Sequence, residues 1–264
     1  MPVTSSNGSK IHFLDNANGK KEVVLLLHAF PLHSGMWSRQ VAALSARYRL
    51  IAPDYPGLGK SEPRPVPSTM DSLAQDVLGV LGNLGIDRAA AVGLSMGGYL
   101  AFELYRQRPG LFRGLALCDT RAGADTPEGA QNRETFARNA LEKGLSWVAD
   151  EMVPKLLRPH PDPAAVAEVR RLVGEGTPAG VAAAQRGMAQ RPDSAPTLAK
   201  IACPTLVVCG AEDALTPPAE SEKMAAAVKG AKLATIPNAG HLPAIENGEA
   251  FTRALSDFLA SLPK

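Results

Sequence analysis

The chain has 264 residues, of which 45% are hydrophobic and 20% charged, and its net charge is +2 at pH 7. This composition suits a globular α/β chain, and the small net charge argues against nucleic acid or an anionic membrane as a main partner. No apolar run reaches the roughly 18 residues of a membrane span. The polar start, MPVTSSNGSK, also lacks the apolar stretch of a secretory signal. We therefore expect a cytoplasmic protein without nucleic-acid or membrane partners.

Six short apolar runs without alternation predict strands that are buried on both faces of a parallel sheet. They span residues 22–28, 48–54, 89–93, 114–119, 204–210 and 232–237. Helical patterns lie between or after these runs, at residues 68–84, 96–107, 219–229 and 249–262. Alternating strands and helices predict an α/β fold with a doubly wound, mostly parallel sheet.

The region from Thr120 to Pro196 interrupts this alternation. It has no strand-like run, but helical patterns at residues 134–143, 145–157, 163–173 and 178–190. The simplest interpretation is a helical cap, residues 120–196, inserted into a core made of residues 1–119 and 197–264. Several apolar side chains of this cap are candidates for a lid over a site, although packing within the cap is the simpler role for each. They are Leu141, Leu145, Trp147, Met152, Leu156, Leu172 and Met188.

Between the third predicted strand and its following helix the chain reads GLSMG, with Ser95 at the centre. A Gly-x-Ser-x-Gly turn from strand to helix is typical of a nucleophile elbow. Crowding around the strained serine admits only very small neighbours, and Gly93, Gly97 and Gly98 meet this demand. The turn would leave the hydroxyl at the carboxyl edge of the sheet, where open α/β folds bind ligands. The pentapeptide alone is also compatible with a plain turn.

A serine hydroxyl becomes a good nucleophile only when a base takes its proton and an acid orients that base. Asp213 follows the fifth predicted strand, and His241 follows the sixth. The order serine, acid, histidine is the one expected when the nucleophile stands on such an elbow. These three residues are therefore the predicted catalytic group.

Taken together, these motifs resemble the α/β-hydrolase fold superfamily, in the branch of small esterases, cofactor-free perhydrolases and 3-oxoadipate enol-lactonases. The resemblance covers nearly the whole chain and rests on LLLHAFPLHSGMW, APDYPGLGKS, GLSMGG, GAEDALTP and NAGHLPAIEN. It implies Ser95 as nucleophile, His241 as general base and Asp213 as the acid that orients it. Some members place the acid where Asp119 stands, but the G-x-x-D-x-x-T-P surroundings favour Asp213 by analogy.

The resemblance also implies an oxyanion hole. Its first donor usually follows the first inner strand in a His-Gly-Phe-Pro-like turn, which here reads HAFP at residues 28–31. The expected donors are therefore the N–H groups of Phe30 and Met96. Ala29 stands where the turn usually has glycine, and His28 is expected to fix the turn rather than to transfer protons.

For substrate binding we predict Phe30, Trp37 and Trp147, although aromatic residues near a strand end more often belong to the core. No metal or cofactor is predicted. The histidines at positions 12, 33 and 160 have no ligand spacing. In addition, no G-x-G-x-x-G follows the first inner strand.

The sequence therefore predicts a serine hydrolase that cleaves a small carboxylic ester or lactone through an acyl-enzyme on Ser95. Three alternatives stay open: a 3-oxoadipate enol-lactonase, a cofactor-free perhydrolase, and a non-catalytic small-molecule binder of the same fold. The enol-lactone of a dicarboxylic acid would need cationic contacts. Arg121, Arg133 and Arg138 lie in the cap, but surface solvation is the simpler role for each. Neither the exact ester or lactone nor the oligomeric state follows from the sequence.

Overall fold

The computed structural model describes residues 2–6, 9–17, 19 and 22–263. Its central feature is one eight-stranded sheet with the order β1-β2-β4-β3-β5-β6-β7-β8. The strands are β1 (Val3–Ser6), β2 (Ser9–Asp15), β3 (Val23–Leu27), β4 (Arg49–Pro53), β5 (Ala89–Leu94), β6 (Phe112–Cys118), β7 (Thr205–Gly210) and β8 (Lys232–Ile236). β1 pairs antiparallel with β2, and β2 with β4, while the pairs from β4 to β8 are parallel.

The predicted mostly parallel α/β sheet is confirmed, and all six predicted strands lie within two residues of their observed bounds. Every residue of β3, β5 and β7 is buried, as expected for strands covered on both faces. β1 and β2 were not predicted, because β1 is short and polar and the apolar residues of β2 are interrupted by His12, so neither forms a continuous apolar run. β8 was expected to be buried on both faces, and this was wrong. It is the last strand of the sheet, so one side has no neighbour and Leu233 is 42% exposed.

Ten α-helices accompany the sheet in the described part of the chain. They are α1 (Ser38–Leu44), α2 (Met70–Asn83), α3 (Met96–Gln107), α4 (Pro127–Leu156), α5 (Pro163–Gly174), α6 (Pro178–Ala189), α7 (Ala195–Leu198), α8 (Pro218–Ala227), α9 (Pro243–Glu246) and α10 (Gly248–Ser261). None of these helices combines the length and the apolar composition needed to cross a membrane.

α4, α5 and α6 form a helical insertion between β6 and β7, in a region that the structure describes throughout and that contains no strand. α4 begins at Pro127, where Thr126 caps it by accepting the Gly129 N–H, and it is broken at Gly144, whose φ is 77°. That break separates the two helical patterns seen in the sequence. The division into a core and a cap at residues 119 and 197 stays a prediction, and its outer limits, residues 1 and 264, lie outside the described residues.

The topology explains why distant residues meet. β5, β6, β7 and β8 are parallel neighbours in the sheet, so their carboxyl ends lie along one edge. Ser95 follows β5, Asp119 follows β6, Asp213 lies just after β7, and His241 lies after β8. Residues separated by up to 146 positions are therefore brought to the same edge.

Candidate active site

Ser95 lies on a sharp turn between β5 and α3, with φ 55° and ψ −113°. Such a positive φ is uncommon for a residue other than glycine. Close backbone packing surrounds the turn. A Cβ on Gly93 would lie 2.4 Å from the Gly97 carbonyl oxygen, and a Cβ on Gly97 would lie 2.1 Å from that of Leu27. The two glycines are therefore required by the approach of main chain to main chain, as the motif predicts.

A continuous line of hydrogen bonds joins the three residues proposed from the sequence. The Ser95 Oγ lies 2.7 Å from His241 Nε2, and His241 Nδ1 lies 2.8 Å from Asp213 Oδ2. Because Nδ1 faces a carboxylate, it carries the proton of the neutral ring. Nε2 is then an acceptor, and it is positioned to take the serine proton. His241 is 1% exposed and Asp213 is 3% exposed, so solvent does not compete for these bonds.

Asp213 is held by its own loop. The N–H groups of Leu215 and Thr216 donate to its Oδ1 at 2.8 and 3.0 Å, and the Thr216 hydroxyl donates to its Oδ2 at 2.6 Å. Burial opposes ionisation of Asp213, but hydrogen bonds from His241 and Thr216 outweigh it, so its pKa lies below the usual value. The carboxyl is therefore ionised at neutral pH. Thr216 was not singled out from the sequence, although it is the threonine of the G-x-x-D-x-x-T-P pattern.

Asp119, the alternative acid, is fully buried. Its Oδ1 accepts the Gly210 N–H at 2.7 Å, and its Oδ2 has no hydrogen-bond partner among the described residues. Burial, reinforced by the nearby charge of Asp213, raises its pKa well above the usual range. His241 Nδ1 lies 2.8 Å from Asp213 Oδ2, so the geometry favours Asp213 as the partner of His241.

The loop that carries His241 is fixed by Glu246. The Gly240 N–H donates to Glu246 Oε2 at 2.7 Å, and the Arg158 N–H, just after α4, donates to Oε1 at 2.8 Å. A Cβ on Gly240 would lie 2.5 Å from the Arg158 nitrogen, so the two segments touch through their main chains. Glu246 was not predicted as a site residue, although it belongs to the quoted NAGHLPAIEN motif.

The turn at residues 28–31 leaves one amide available. The Ala29 N–H donates to Met36 Sδ at 3.3 Å, and the Ala29 carbonyl accepts the Leu32 N–H at 2.9 Å. Within the described chain, the Phe30 N–H has no protein acceptor. Met96 is the first residue of α3, and a helix leaves its first N–H groups without an internal partner. Both predicted oxyanion donors are therefore unoccupied, and Ala29 fits its turn without a left-handed backbone.

His28 supports this turn. Its Nε2 accepts the Tyr55 N–H at 3.1 Å, so Nδ1 carries the proton, which it donates to the Ala29 carbonyl at 3.1 Å. The imidazole also stacks on the Tyr55 ring, with 3.7 Å between centroids. Burial lowers the pKa of His28 to about 4. The ring is therefore neutral at physiological pH and fixes the turn, as expected from the sequence.

A cavity of about 250 Å³ lies against Ser95. The core and the insertion both line it, through Phe30, Ser95, Tyr99, Arg121, Asn132, Arg133, Phe136, Met152, Lys155, Gln185, Met188, Leu215 and Thr216. A larger, open depression of about 610 Å³ lies between α1, the start of α5 and residues 245–252, and Ser95 does not line it. Among the described residues, no group of histidine, cysteine and acidic side chains is arranged to hold a metal.

The three residues predicted to bind substrate occupy different positions. Phe30 lines the cavity. Trp147 does not line it, but its ring packs on Phe136, which does, at 4.9 Å between centroids. Trp37 is fully buried and lies against Phe251 of α10, 6.2 Å between centroids, away from the cavity. Trp147 therefore contacts the cavity only through Phe136, and Trp37 belongs to the core.

The chain is similar to known proteins over nearly all of its length. A family model described as the alpha/beta hydrolase fold matches residues 22–248. A 3-oxoadipate enol-lactonase of Acinetobacter baylyi is 29% identical over 98% of this chain and 97% of its own. Among solved structures, a malate-bound thermophilic esterase of Thermogutta terrifontis has a TM-score of 0.93 and 39% identity over 98% of this chain and 96% of its own. The enol-lactonase of Burkholderia xenovorans has a TM-score of 0.90 and 31% identity, covering 98% of this chain and all of its own.

Proposed function

Because this chain belongs to the alpha/beta hydrolase fold family, we propose that it is a serine hydrolase that cleaves a small carboxylic ester or lactone through an acyl-enzyme on Ser95. The observation that carries this proposal is the hydrogen-bonded line from Ser95 Oγ through His241 to Asp213. Its position beside a cavity and the esterases and enol-lactonases among the similar proteins support it.

In the first half of the proposed cycle, Ser95 Oγ attacks the carbonyl carbon while His241 Nε2 takes the hydroxyl proton. Negative charge then develops on the carbonyl oxygen, where the N–H groups of Phe30 and Met96 would donate to it. His241 gives its proton to the departing alkoxide, and the acyl group stays on Ser95. Asp213 keeps the imidazole in the required tautomer and stabilises its cation.

In the second half, a water molecule attacks the acyl carbon and His241 again accepts a proton. The tetrahedral intermediate uses the same oxyanion donors and collapses with the return of the proton to Ser95. A lactone follows the same steps, except that its alcohol and acid leave as one molecule.

The direct test is Ser95→Ala, assayed with p-nitrophenyl acetate and butyrate. Loss of the nucleophile from a working triad typically costs about 10⁶ in kcat. Labelling of the wild type by a fluorophosphonate, absent from this variant, would place the reactive oxygen on Ser95. Ser261→Ala, an exposed serine at the end of α10, is the matched control and keeps both properties.

Full activity in Ser95→Ala would refute the mechanism. A wild type that binds small esters but neither turns them over nor takes the label would indicate the non-catalytic binder. Weak turnover alone does not separate the two, because a binder with an intact triad retains some hydrolysis. The labelling stoichiometry is therefore measured beside the rate.

A further inference from the structure

The cavity beside Ser95 has a basic wall. Arg121, Arg133 and Lys155 line it, and none of its lining residues in the described part of the chain is acidic. A cavity with charge of one sign in low-dielectric surroundings concentrates ligands of the opposite sign. A neutral acyl chain would require none of these cations, so the wall suggests an anionic group on the substrate.

The arginines of this wall belong to a cluster around Asp125. That carboxylate pairs with Arg121 at 2.9 Å, with Arg191 at 2.8 Å, and with Arg133. Burial opposes ionisation of Asp125, but hydrogen bonds from Arg191 and Arg133 outweigh it, so its pKa is well below the usual value. Three guanidinium groups thus share one carboxylate, and the cluster keeps an excess of positive charge.

The cluster is held rigidly, yet it has hydrogen-bonding capacity left. Arg133 Nη1 donates to Gln185 Oε1 at 2.9 Å, and the Arg191 guanidinium lies over the ring of Tyr99, 4.3 Å from its centroid. By contrast, the Nε of Arg121 is buried and has no acceptor among the described residues. Buried donors are nearly always paired. Because Arg121 lines the cavity, this donor is available to an acceptor on a ligand bound there.

We propose that the substrate carries a carboxylate that binds to Arg121 and Arg133 while its ester or lactone carbonyl lies at Ser95. This inference rests on the proposed function and names its substrate class. The cavity, about 250 Å³, is smaller than the roughly 300–1,000 Å³ of drug-sized sites. A half-ester of a short dicarboxylic acid, or a small lactone with a carboxylate side chain, fits these properties.

The test compares two esters that differ only in charge, monomethyl glutarate and its neutral amide, methyl 5-amino-5-oxopentanoate. We expect the wild type to have the higher kcat/KM for the anion. In Arg121→Gln the ratio of the two kcat/KM values falls by about tenfold or more, the usual effect of losing a hydrogen bond to a charged group. The ratio is internal to each variant, so a general loss of activity does not mimic the effect.

Arg138→Gln is the matched control. Arg138 lies on α4 and is exposed, and it does not line the cavity. Both rates are expected to stay at the wild-type level in this variant. Arg133→Gln is a second test of the wall, and the melting temperature of each variant shows whether it is folded.

Binding to Ser95→Ala, measured by calorimetry with the same two esters, tests the inference without catalysis. Tighter binding of the anion, weakened in the Ser95→Ala/Arg121→Gln double variant, supports the basic wall even if the wild type hydrolyses nothing. Equal binding of the two esters, or a kcat/KM ratio unchanged by both Arg121→Gln and Arg133→Gln, overturns it. Ser95-dependent turnover of p-nitrophenyl acetate would in that case leave the hydrolase proposal intact.

Discussion

The sheet edge and the helical insertion each supply one side of the candidate site, and they hold their side chains differently. At the sheet edge, main-chain contacts dominate: Gly93 and Gly97 let strands and helix approach, and backbone N–H groups hold Asp213. In the insertion, the carboxylate of Asp125 positions arginines from separate segments. Close main-chain contacts tolerate little change in sequence, whereas one side chain of an ion pair can be replaced without altering the path of the main chain. We therefore expect the sheet edge to determine the rate and the insertion to determine selectivity.

After the loss of the nucleophile itself, the largest expected effect is that of Asp213→Asn. The amide cannot stabilise the imidazolium and favours the wrong tautomer of His241, so kcat for p-nitrophenyl butyrate should fall by about 10⁴. Asp119→Asn is the matched variant at the end of the neighbouring strand. Burial raises the pKa of Asp119 and disfavours its charged form, and an amide can still accept the Gly210 N–H, so the loss in Asp119→Asn should be below tenfold.

Steady-state kinetics of the two variants, with melting temperatures as a folding control, decide between the two acids. A loss at Asp119→Asn as large as that at Asp213→Asn would mean that the alternative acid is the functional one.

Met152→Leu on the insertion side of the cavity extends the comparison. It should change the preference for acyl length more than the maximal rate.

The second effect concerns stability in acid. Burial lowers the pKa of His28 to about 4, against 6.5 in the unfolded chain. The folded state excludes the charged form, so the stabilisation is complete above pH 6.5 and is lost as pH falls from 6.5 to 4. This loss amounts to about 3 kcal/mol in the free energy of unfolding. Burial also lowers the pKa of His33, which acts in the same direction.

Urea unfolding at several pH values between 4 and 7.5 measures this loss. In His28→Gln the dependence on pH should be shallower, although the variant is less stable at neutral pH. His160→Gln, an exposed position in the insertion, should leave the whole curve unchanged. A wild-type stability that is flat over this range would contradict the assignment of a neutral, buried His28.

The smallest effect compares a glycine from each region. Gly97→Ala at the sheet edge would place a Cβ 2.1 Å from the Leu27 carbonyl oxygen, so we expect a loss of about 1–3 kcal/mol, as for other overpacked positions. Gly174→Ala ends α5 in the insertion and meets nothing within 4 Å. It should gain about 0.4–1 kcal/mol by restricting the unfolded chain. Chemical denaturation measures the free energy of unfolding of both variants. Equal changes in the two would contradict the expected difference between the sheet edge and the insertion.

The sequence predicts more of the sheet edge than of the insertion, for a physical reason. Ser95, Asp213 and His241 stand beside strand ends, and a parallel sheet brings such ends to one edge whatever the details of packing. The structure brings their side chains together, and their catalytic roles stay a prediction. The strands β1 and β2 were missed because neither contains a continuous apolar run: β1 is polar, and His12 separates the apolar residues of β2.

Side chains whose positions depend on distant packing were harder to predict. Trp37 lies against Phe251, a residue of the last helix, and no local pattern reveals this contact. The sequence interpretation favoured solvation for Arg121 and Arg133, whereas both line the cavity. Their orientation depends on Asp125 and on how α4 meets α6, which the spacing of residues within one segment does not determine.

The contact made by Glu246 has a mechanical consequence. One of its oxygens holds the amide before His241 and the other holds the amide of Arg158, which follows α4. If the end of α4 moved outward, it would pull on Glu246 and so disturb the hydrogen bond to Gly240 that holds the loop of His241. We therefore expect movement at this end of α4 and the position of His241 to be coupled through the carboxylate of Glu246.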